Sequence, residues 1–490
     1  MKTKVMNPYL PLNEYIPDGE PRIFGNRLYV YGSHDFAGGE KNYCPGDYMI
    51  WSAPLDDPGN WTCGGVGFAR AQCPELAPED AMAAPDVVQG PDKRYYLYFN
   101  TNMQRVCRVA VSDSPGGPFS YYGTVQKPDG TPYEDYKMFD PGVLVDEDGR
   151  IYLYTGFCMP GPVPEKYRNL PSPFAATSLG FELAADMKTI KDGPYPVIPG
   201  GNVTEGTGFC GHGFYEASSP RKIGGIYLMI YSSELTHELA YASAKAPFGP
   251  YRYEGVLISN ADLGLCGNTR PVMPFGNNHG GLVKLADGWY VFYHRQTHAI
   301  ECCRQGCAEK LALRGDGLFA QTEITSCGLN GGPLPAEGSY NACYCCHLTS
   351  TAIKPVRLEP GEHRRETEPY IFEDGEEHYI ANIRADAVVG FKYFLFENVG
   401  ALGLTLRGNG AVGVCARLNR PDGRPVGAVR EELTPEWKTC RLVLPEISGV
   451  HALYIEFEAE GQMDFMEITF YEKEGVQFEI NCDKEDAYEP

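Results

Sequence analysis

The chain has 490 residues and a formal net charge of −22, so it offers a polyanion no counterion release, and nucleic acid and anionic membrane are excluded as partners. Glycine (57), proline (39) and tyrosine (33) are abundant while apolar runs with a helical period are scarce, the composition of an all-β protein with many turns. No stretch of about 18 apolar residues is present to cross a bilayer, and the length suggests two or three domains.

The opening MKTKVMNPYLPLNEY carries two lysines with no apolar run behind them, so it does not read as a secretory signal. The expectation is a cytoplasmic protein with reduced thiols. From Phe24 onward one strand pattern recurs five times: FGNRLYVYGSHD, GPDKRYYLYFNTN, DEDGRIYLYTGF, KIGGIYLMIYSSE and LADGWYVFYHRQT. Each sets a Gly- or Asp-rich turn before a tyrosine at a common position: Tyr29, Tyr96, Tyr152, Tyr227 and Tyr290. The gaps are 67, 56, 75 and 63 residues, with further strand signals between them. Loose repeats of this length predict the blades of a five-bladed β-propeller over about residues 5–340, in a domain spanning 1–350.

Counting back 10 to 12 residues from each tyrosine reaches an ionisable residue: Asp18, Asp86, Asp140, Glu216 and His279. In a propeller the innermost strands run along a central axis, so equivalent positions in five blades converge at one end of the channel. One acid near a strand start would merely cap a turn. Five in register, flanked by Pro, Gly and apolar residues (IPDGEP, AAPDVV, MFDPGV, FYEASS, NNHGGL), read as an enclosed cluster whose carboxylates raise one another's pKa. Several carboxylates without a nucleophile motif or a phosphate-binding loop suggest glycoside hydrolysis. Phe36, Trp51 and Trp289 are candidate sugar platforms, with burial in the core as the competing reading.

The stretch from RQGCAEK to PAEGSY reads as outer blade strands and a closing loop. The polar KPVRLEPGEHRRETEPYIFEDGEEHY then places a boundary near residues 350–365, with a linker and second domain over 351–490. From about Tyr370 the short alternating runs predict a β-sandwich of jelly-roll type. Trp437 is its single aromatic candidate for binding sugar, and structural support of the propeller is an equal reading. Six of the 17 cysteines (Cys302, Cys303, Cys307, Cys343, Cys345 and Cys346) cluster with spacings that favour packed, reduced thiols over zinc ligands or disulfides.

The motifs YIPDGEP, MFDPGVLVDEDG and YEASSPRKIGGIYLMIYSS, set in this order in the repeats, resemble glycoside hydrolase family 43 over about 330 residues. SGVHALYIEFEAEGQMDFMEITFYE is similar to the end of a family 6 carbohydrate-binding module. The first resemblance implies an inverting glycosidase that releases terminal α-L-arabinofuranosyl or β-D-xylosyl units from an oligosaccharide or polysaccharide. It implies Asp18 as general base, Asp140 as modulator of the acid's pKa, Glu216 as general acid, and His279 beside a central calcium or water-bound ion. It suggests Arg295, in FYHR, as a cation on the substrate, and Asp86, in APDV, as a structural or sugar-binding residue. The chain departs from the family where Glu-Ala-Ser replaces the frequent Glu-Gly-Pro, which makes Glu205 in VTEGTGF a rival acid, though only Glu216 has the following strand at the right distance. Pro-Asp-Gly-Glu-Pro makes Glu20 a weaker rival base. A β-D-galactofuranosidase and a non-catalytic glycan-binding propeller are the alternatives; the complete acid set favours an enzyme.

Overall fold

A computed structural model describes residues 2–473 except 40, 41, 102, 103, 160–173 and 460. The described residues hold strands and short 3-10 turns, with no α-helix. Five antiparallel meanders follow one another in the chain. Their innermost strands are Glu20–Phe24, Met82–Gln89, Gly142–Val145, Phe214–Ile223 and Leu282–Leu285. All five repeat tyrosines lie in the second strand of their blade, and Tyr96, Tyr152, Tyr227 and Tyr290 are buried. The run Ile226–Ser233 is apolar on both faces because a middle strand of a blade is covered by the blade on either side. The fold is the five-bladed propeller expected from the repeats.

Side chains at the axis stitch the innermost strands together. Arg22 of blade one donates to both carboxylate oxygens of Asp86 in blade two, at 2.9 and 2.6 Å. Asp86 also accepts from the Val143 amide of blade three at 2.7 Å. Arg221 of blade four pairs with Glu20 of blade one and donates to the Leu282 carbonyl of blade five at 2.8 Å. All five blades are therefore tied into one buried network. Glycine is required where it crowds: a Cβ on Gly281 would lie 2.6 Å from Glu20 Oε2 and 2.7 Å from Ser219 Oγ. The ring closes at its seam when the N-terminal segment lies along the outer edge of blade five, with Tyr9 N–H donating to the Gly306 carbonyl and the Asn7 side chain bridging Ala308. Tyr9 also packs between Trp61 of blade one and Phe292 of blade five.

Two further sheets form the C-terminal sandwich. One is built on Val388–Phe396 and Gly449–Ala459, the other on Val399–Gly408 and Met463–Glu472. The expected boundary is corrected here. Leu334–Pro335 and His347–Thr349 pair with Val388–Phe396, and Gly338–Asn341 pairs with Met463–Glu472. These segments are sandwich edges, not blade strands, because Leu334, Tyr340 and Leu348 join the sandwich core. That core runs without a break into blades four and five through Leu228, Tyr241 and Tyr293. All six clustered cysteines are buried free thiols in or beside this junction. Trp437 is packed against Arg407, 4.2 Å from its ring, and donates to Glu377.

Removing one partner from a buried ion pair costs about 3–5 kcal/mol. Asp86→Ala is therefore expected to lower the unfolding free energy by that amount, read as a lower urea midpoint, while sugar binding is retained. Unchanged stability with weakened binding would return Asp86 to a role on the sugar.

Candidate active site

The repeat tyrosines explain which of the five ionisable residues meet. Tyr29, Tyr152 and Tyr290 pair with Arg22, Leu144 and Val283, and Asp18, Asp140 and His279 each lie four residues upstream of that partner. Glu216 lies six upstream of Lys222, the partner of Tyr227, and the irregular pairing between Phe214 and Ser219 absorbs the difference. Asp86 lies only two upstream of Val88, the partner of Tyr96. At about 3.3 Å per residue this sets Asp86 roughly 7 Å deeper in the channel. The structure thus brings Asp18, Asp140, Glu216 and His279 to one cavity of about 540 Å³ and leaves Asp86 in the network beneath it. Glu20 lies at the same depth as Asp86, paired with both arginines. Glu205 is exposed and outside the cavity.

Asp18 sits in a dense buried web. Its carboxylate accepts from Ser33 Oγ at 2.6 Å and from Arg304 Nη1 at 2.9 Å. Arg304 is held in turn by Asp35, through Nε at 2.8 Å and Nη2 at 3.1 Å. Burial by itself would push the Asp18 carboxyl up, but the Arg304 guanidinium, with His294, His279 and the Ser33 hydrogen bond, outweighs it and holds the group below its ordinary value. His294 is a neighbour of another kind. Its Nδ1 accepts from the Asp18 amide and its Nε2 donates to the Asn277 carbonyl at 2.8 Å. Burial, then the charge on Arg304, pushes this imidazole down to about 3, so it stands neutral against Asp18 and forms no ion pair.

Glu216 meets the opposite environment. Burial first, then the neighbouring Asp140 carboxylate, pushes its carboxyl up to about 8. Among the described residues no cation pairs with it directly, and the acid keeps its proton at neutral pH. Asp140 accepts from the Ala217 amide at 3.2 Å and lies 3.4 Å from His279 Nδ1. Burial opposes a charge on His279, but Asp140, Asp18 and Glu20 overcome it and raise the imidazole to about 9. The backbone is strained where these groups are held: Asp18, Asp140 and Ala217 have φ of 57°, 46° and 70°.

A calcium ion takes six to eight oxygen ligands. Among the described residues no group of three or more His, Cys, Asp or Glu side chains is placed to hold a metal ion, so an ion beside His279 would take most of its ligands from water. The donor set does not fit a calcium ion liganded by the protein.

Four other expectations are corrected. Arg295 does not face the cavity; its guanidinium donates to Gln305 and to the Cys345 carbonyl. Side chains alternate along a strand, so His294 faces the axis and Arg295 the blade interior. Trp51 is buried in the core between blades one and five, and Phe36 is half exposed, edge-on to His34 and outside the cavity lining. Trp289 lines a second opening of about 350 Å³ at the far end of the channel, among Arg22, Val88, Val143 and Arg221, with no carboxylate in its wall. The cavity cations are instead Arg304, Arg357 and Lys137. Arg304 could have been found, since it pairs with Gln296 at the mouth end of the strand after the fifth tyrosine. Arg357 and Lys137 come from irregular segments, where no repeat marks them.

The sequence model of "Glycosyl hydrolases family 43" matches residues 24–319. A xylosidase/arabinosidase of Thermoclostridium stercorarium is 39% identical over 483 residues, 96% of this chain and 99% of the relative. A xylosidase/arabinosidase of Bacteroides ovatus is 31% identical over 315 residues, covering 58% of this chain and 87% of its own. Among solved structures, a family 43 enzyme from Xanthomonas citri aligns with a TM-score of 0.51 at 25% identity, over 65% of this chain and 94% of its own. A β-xylosidase/α-arabinofuranosidase from a compost metagenome, solved with xylotriose in a calcium-free form, aligns with a TM-score of 0.51 at 24% identity, over 66% of this chain and 98% of its own.

A glutamate held protonated until about pH 8, against about 4.5 in the unfolded chain, weakens the fold as pH rises through that window, because the unfolded state gains the charge first. Glu216→Gln should therefore match the wild type near pH 5 and exceed its stability by roughly 2–5 kcal/mol at pH 9, read by urea denaturation. An equal difference at both pH values would show that Glu216 is not so perturbed.

Proposed function

The chain belongs to glycosyl hydrolases family 43 and is a glycosidase of the xylosidase/arabinosidase kind, and from that premise we propose that it releases terminal β-D-xylosyl or α-L-arabinofuranosyl units with inversion at the anomeric carbon. The supporting observation is the pairing of two carboxyls in one buried cavity whose surroundings drive their proton affinities apart. Glu216 is the general acid: it carries a proton at neutral pH and delivers it to the departing glycosidic oxygen. Asp18 is the general base: held ionised by Arg304, it takes a proton from the water that attacks the opposite face of the sugar. One C–O bond breaks as another forms, and the positive charge that develops on the ring is stabilised by the carboxylates beside it. Asp140 keeps the proton on Glu216 by like-charge repulsion and anchors the next residue through its bond to the Ala217 amide. His279, charged below about pH 9, steadies Asp140.

Glu216→Ala and Asp18→Ala should each lower turnover by about 10²–10⁴-fold. The assay is hydrolysis of 4-nitrophenyl β-D-xyloside, α-L-arabinofuranoside and β-D-galactofuranoside. Activity surviving in Glu216→Ala would move the acid elsewhere, and exclusive action on the galactofuranoside would replace the sugar assignment. The first-formed sugar should show the inverted anomer by proton NMR, and retention would rule out the water-activating role of Asp18.

The pH profile follows from the same environments. With Asp18 below the ordinary carboxylate range and Glu216 near 8, kcat/KM should be flat through neutrality and fall above about pH 8 as the acid loses its proton. A basic limb that stays in place when Asp140 is replaced by Asn would contradict the role given to Asp140.

A further inference from the structure

We propose that Arg357, carried into the cavity by the segment that joins propeller to sandwich, binds the leaving-group sugar and makes the enzyme selective for glycosidic over simple aryl leaving groups. This rests on the reading of Glu216 as the general acid, and goes beyond it by assigning a subsite to the second domain's connection.

The joining segment does not merely pass over the propeller. The amide of Leu358, which is fully buried, donates to the Phe275 carbonyl at 2.7 Å, and the Arg364 amide donates to the Ala299 carbonyl at 3.2 Å. The chain is thus pinned to blade-five loops at Leu358 and at Arg364, and Arg357 and Pro360 form part of the cavity wall. The sandwich secures one of those loops from behind: the His298 amide donates to the Ile371 carbonyl, and Tyr15 donates to Glu373 at 2.9 Å.

The guanidinium of Arg357 is aimed but not satisfied. It lies 3.5 Å from Glu301 Oε1 and 3.3 Å from Glu359 Oε1, and its one hydrogen bond among the described residues is a long one of 3.4 Å from Nε to the Leu358 carbonyl. Glu301 is a rigid anchor, fully buried and bonded to the Asn277 amide at 2.8 Å. A quarter of the Arg357 side chain stays exposed in the cavity. A planar fork with open donors suits the vicinal hydroxyls of a sugar.

Its position selects which sugar. The two cavity arginines divide the site. Arg304 is bound to Asp18 and Asp35, on the side of the attacking water. Arg357 lines the same cavity as Tyr215 and Glu216 but is a quarter exposed where Arg304 is almost fully buried, so it stands toward the mouth, where the departing unit lies when the terminal unit fills the closed bottom. Arg357 therefore meets the unit that leaves, not the one that is released as the inverted sugar.

The test compares leaving groups on one glycone: xylotriose against 4-nitrophenyl β-D-xyloside, and an arabinosyl-xylotriose against 4-nitrophenyl α-L-arabinofuranoside. Arg357→Ala should lower kcat/KM on the oligosaccharides about 10- to 100-fold, mostly through KM, while the aryl glycosides change less than about threefold. Arg357→Lys keeps the charge without the fork and should lose selectively, but less. On xylotriose the basic limb should move to higher pH in the Ala variant and stay in the Lys variant, since Asp140, Asp18, His279 and Tyr215 around Glu216 are unchanged. Equal losses on both kinds of substrate, or none on either, would overturn the proposal while leaving the glycosidase reading intact. If the Ala variant does not fold, absence of a selective loss in a folded Lys variant overturns it equally. A wild type that cleaves neither member of either pair would defeat the underlying reading and this proposal with it.

Discussion

The buried network of Glu20, Arg22, Asp86 and Arg221 is the constraint on which the remaining structure depends. It touches the innermost strand of every blade, through side chains in three of them and through the Val143 amide and Leu282 carbonyl in the other two. Two acids and two arginines there neutralise one another, so the channel is sealed midway without an unpaired charge. Ion pairs of this kind add little net stability compared with an apolar plug. What they supply is position: each arginine reaches across to a neighbouring blade, and Gly281 leaves room for Glu20 and Arg221 where a Cβ would crowd them.

With the channel sealed, the residues above it line a closed-bottomed cavity, and burial becomes the dominant electrostatic term. Asp18 and Glu216 are both buried, and they differ because a guanidinium lies 2.9 Å from one while the Asp140 carboxylate adds to burial at the other. The proton affinities are set less by the acids than by what the adjoining strands place beside them. Arg304 itself is fixed by Asp35, so the charge state of the base depends on a residue that never faces the cavity.

The C-terminal sandwich shares one continuous apolar core with blades four and five, and the segment joining the domains completes the cavity wall. The loop at residues 297–303 couples the two. Its inner side carries Glu301 toward Arg357, and its outer side rests on the strand Tyr370–Asp374. Arg295, buried against the Cys345 carbonyl, belongs to the same junction. Disturbance of the sandwich would accordingly reach the active site through packing, without any sugar bound to the sandwich itself.

Much of this was written in the order of residues. The five tyrosines, their turns and the apolar runs around them are local signals, and they determined the blade count and the second-strand positions. The spacing of Asp18, Asp140, Glu216 and His279 from those tyrosines also determined that they meet, because equivalent strand positions must converge on an axis. Depth and direction were decided only by tertiary structure. Asp86 differs from the others by one or two residues in spacing, which is within the scatter of the turns, yet it lies two residues deeper along its strand and binds arginine instead of substrate. Arg295 stands out in its motif, yet the guanidinium that reaches Asp18 belongs to Arg304, across the hairpin. The edges at Leu334–Pro335, Gly338–Asn341 and His347–Thr349 are too short to carry a period, so the sheet they join is set by the core they can enter. Arg357 has no local signal at all: its place depends on where two folded domains hold the chain between them.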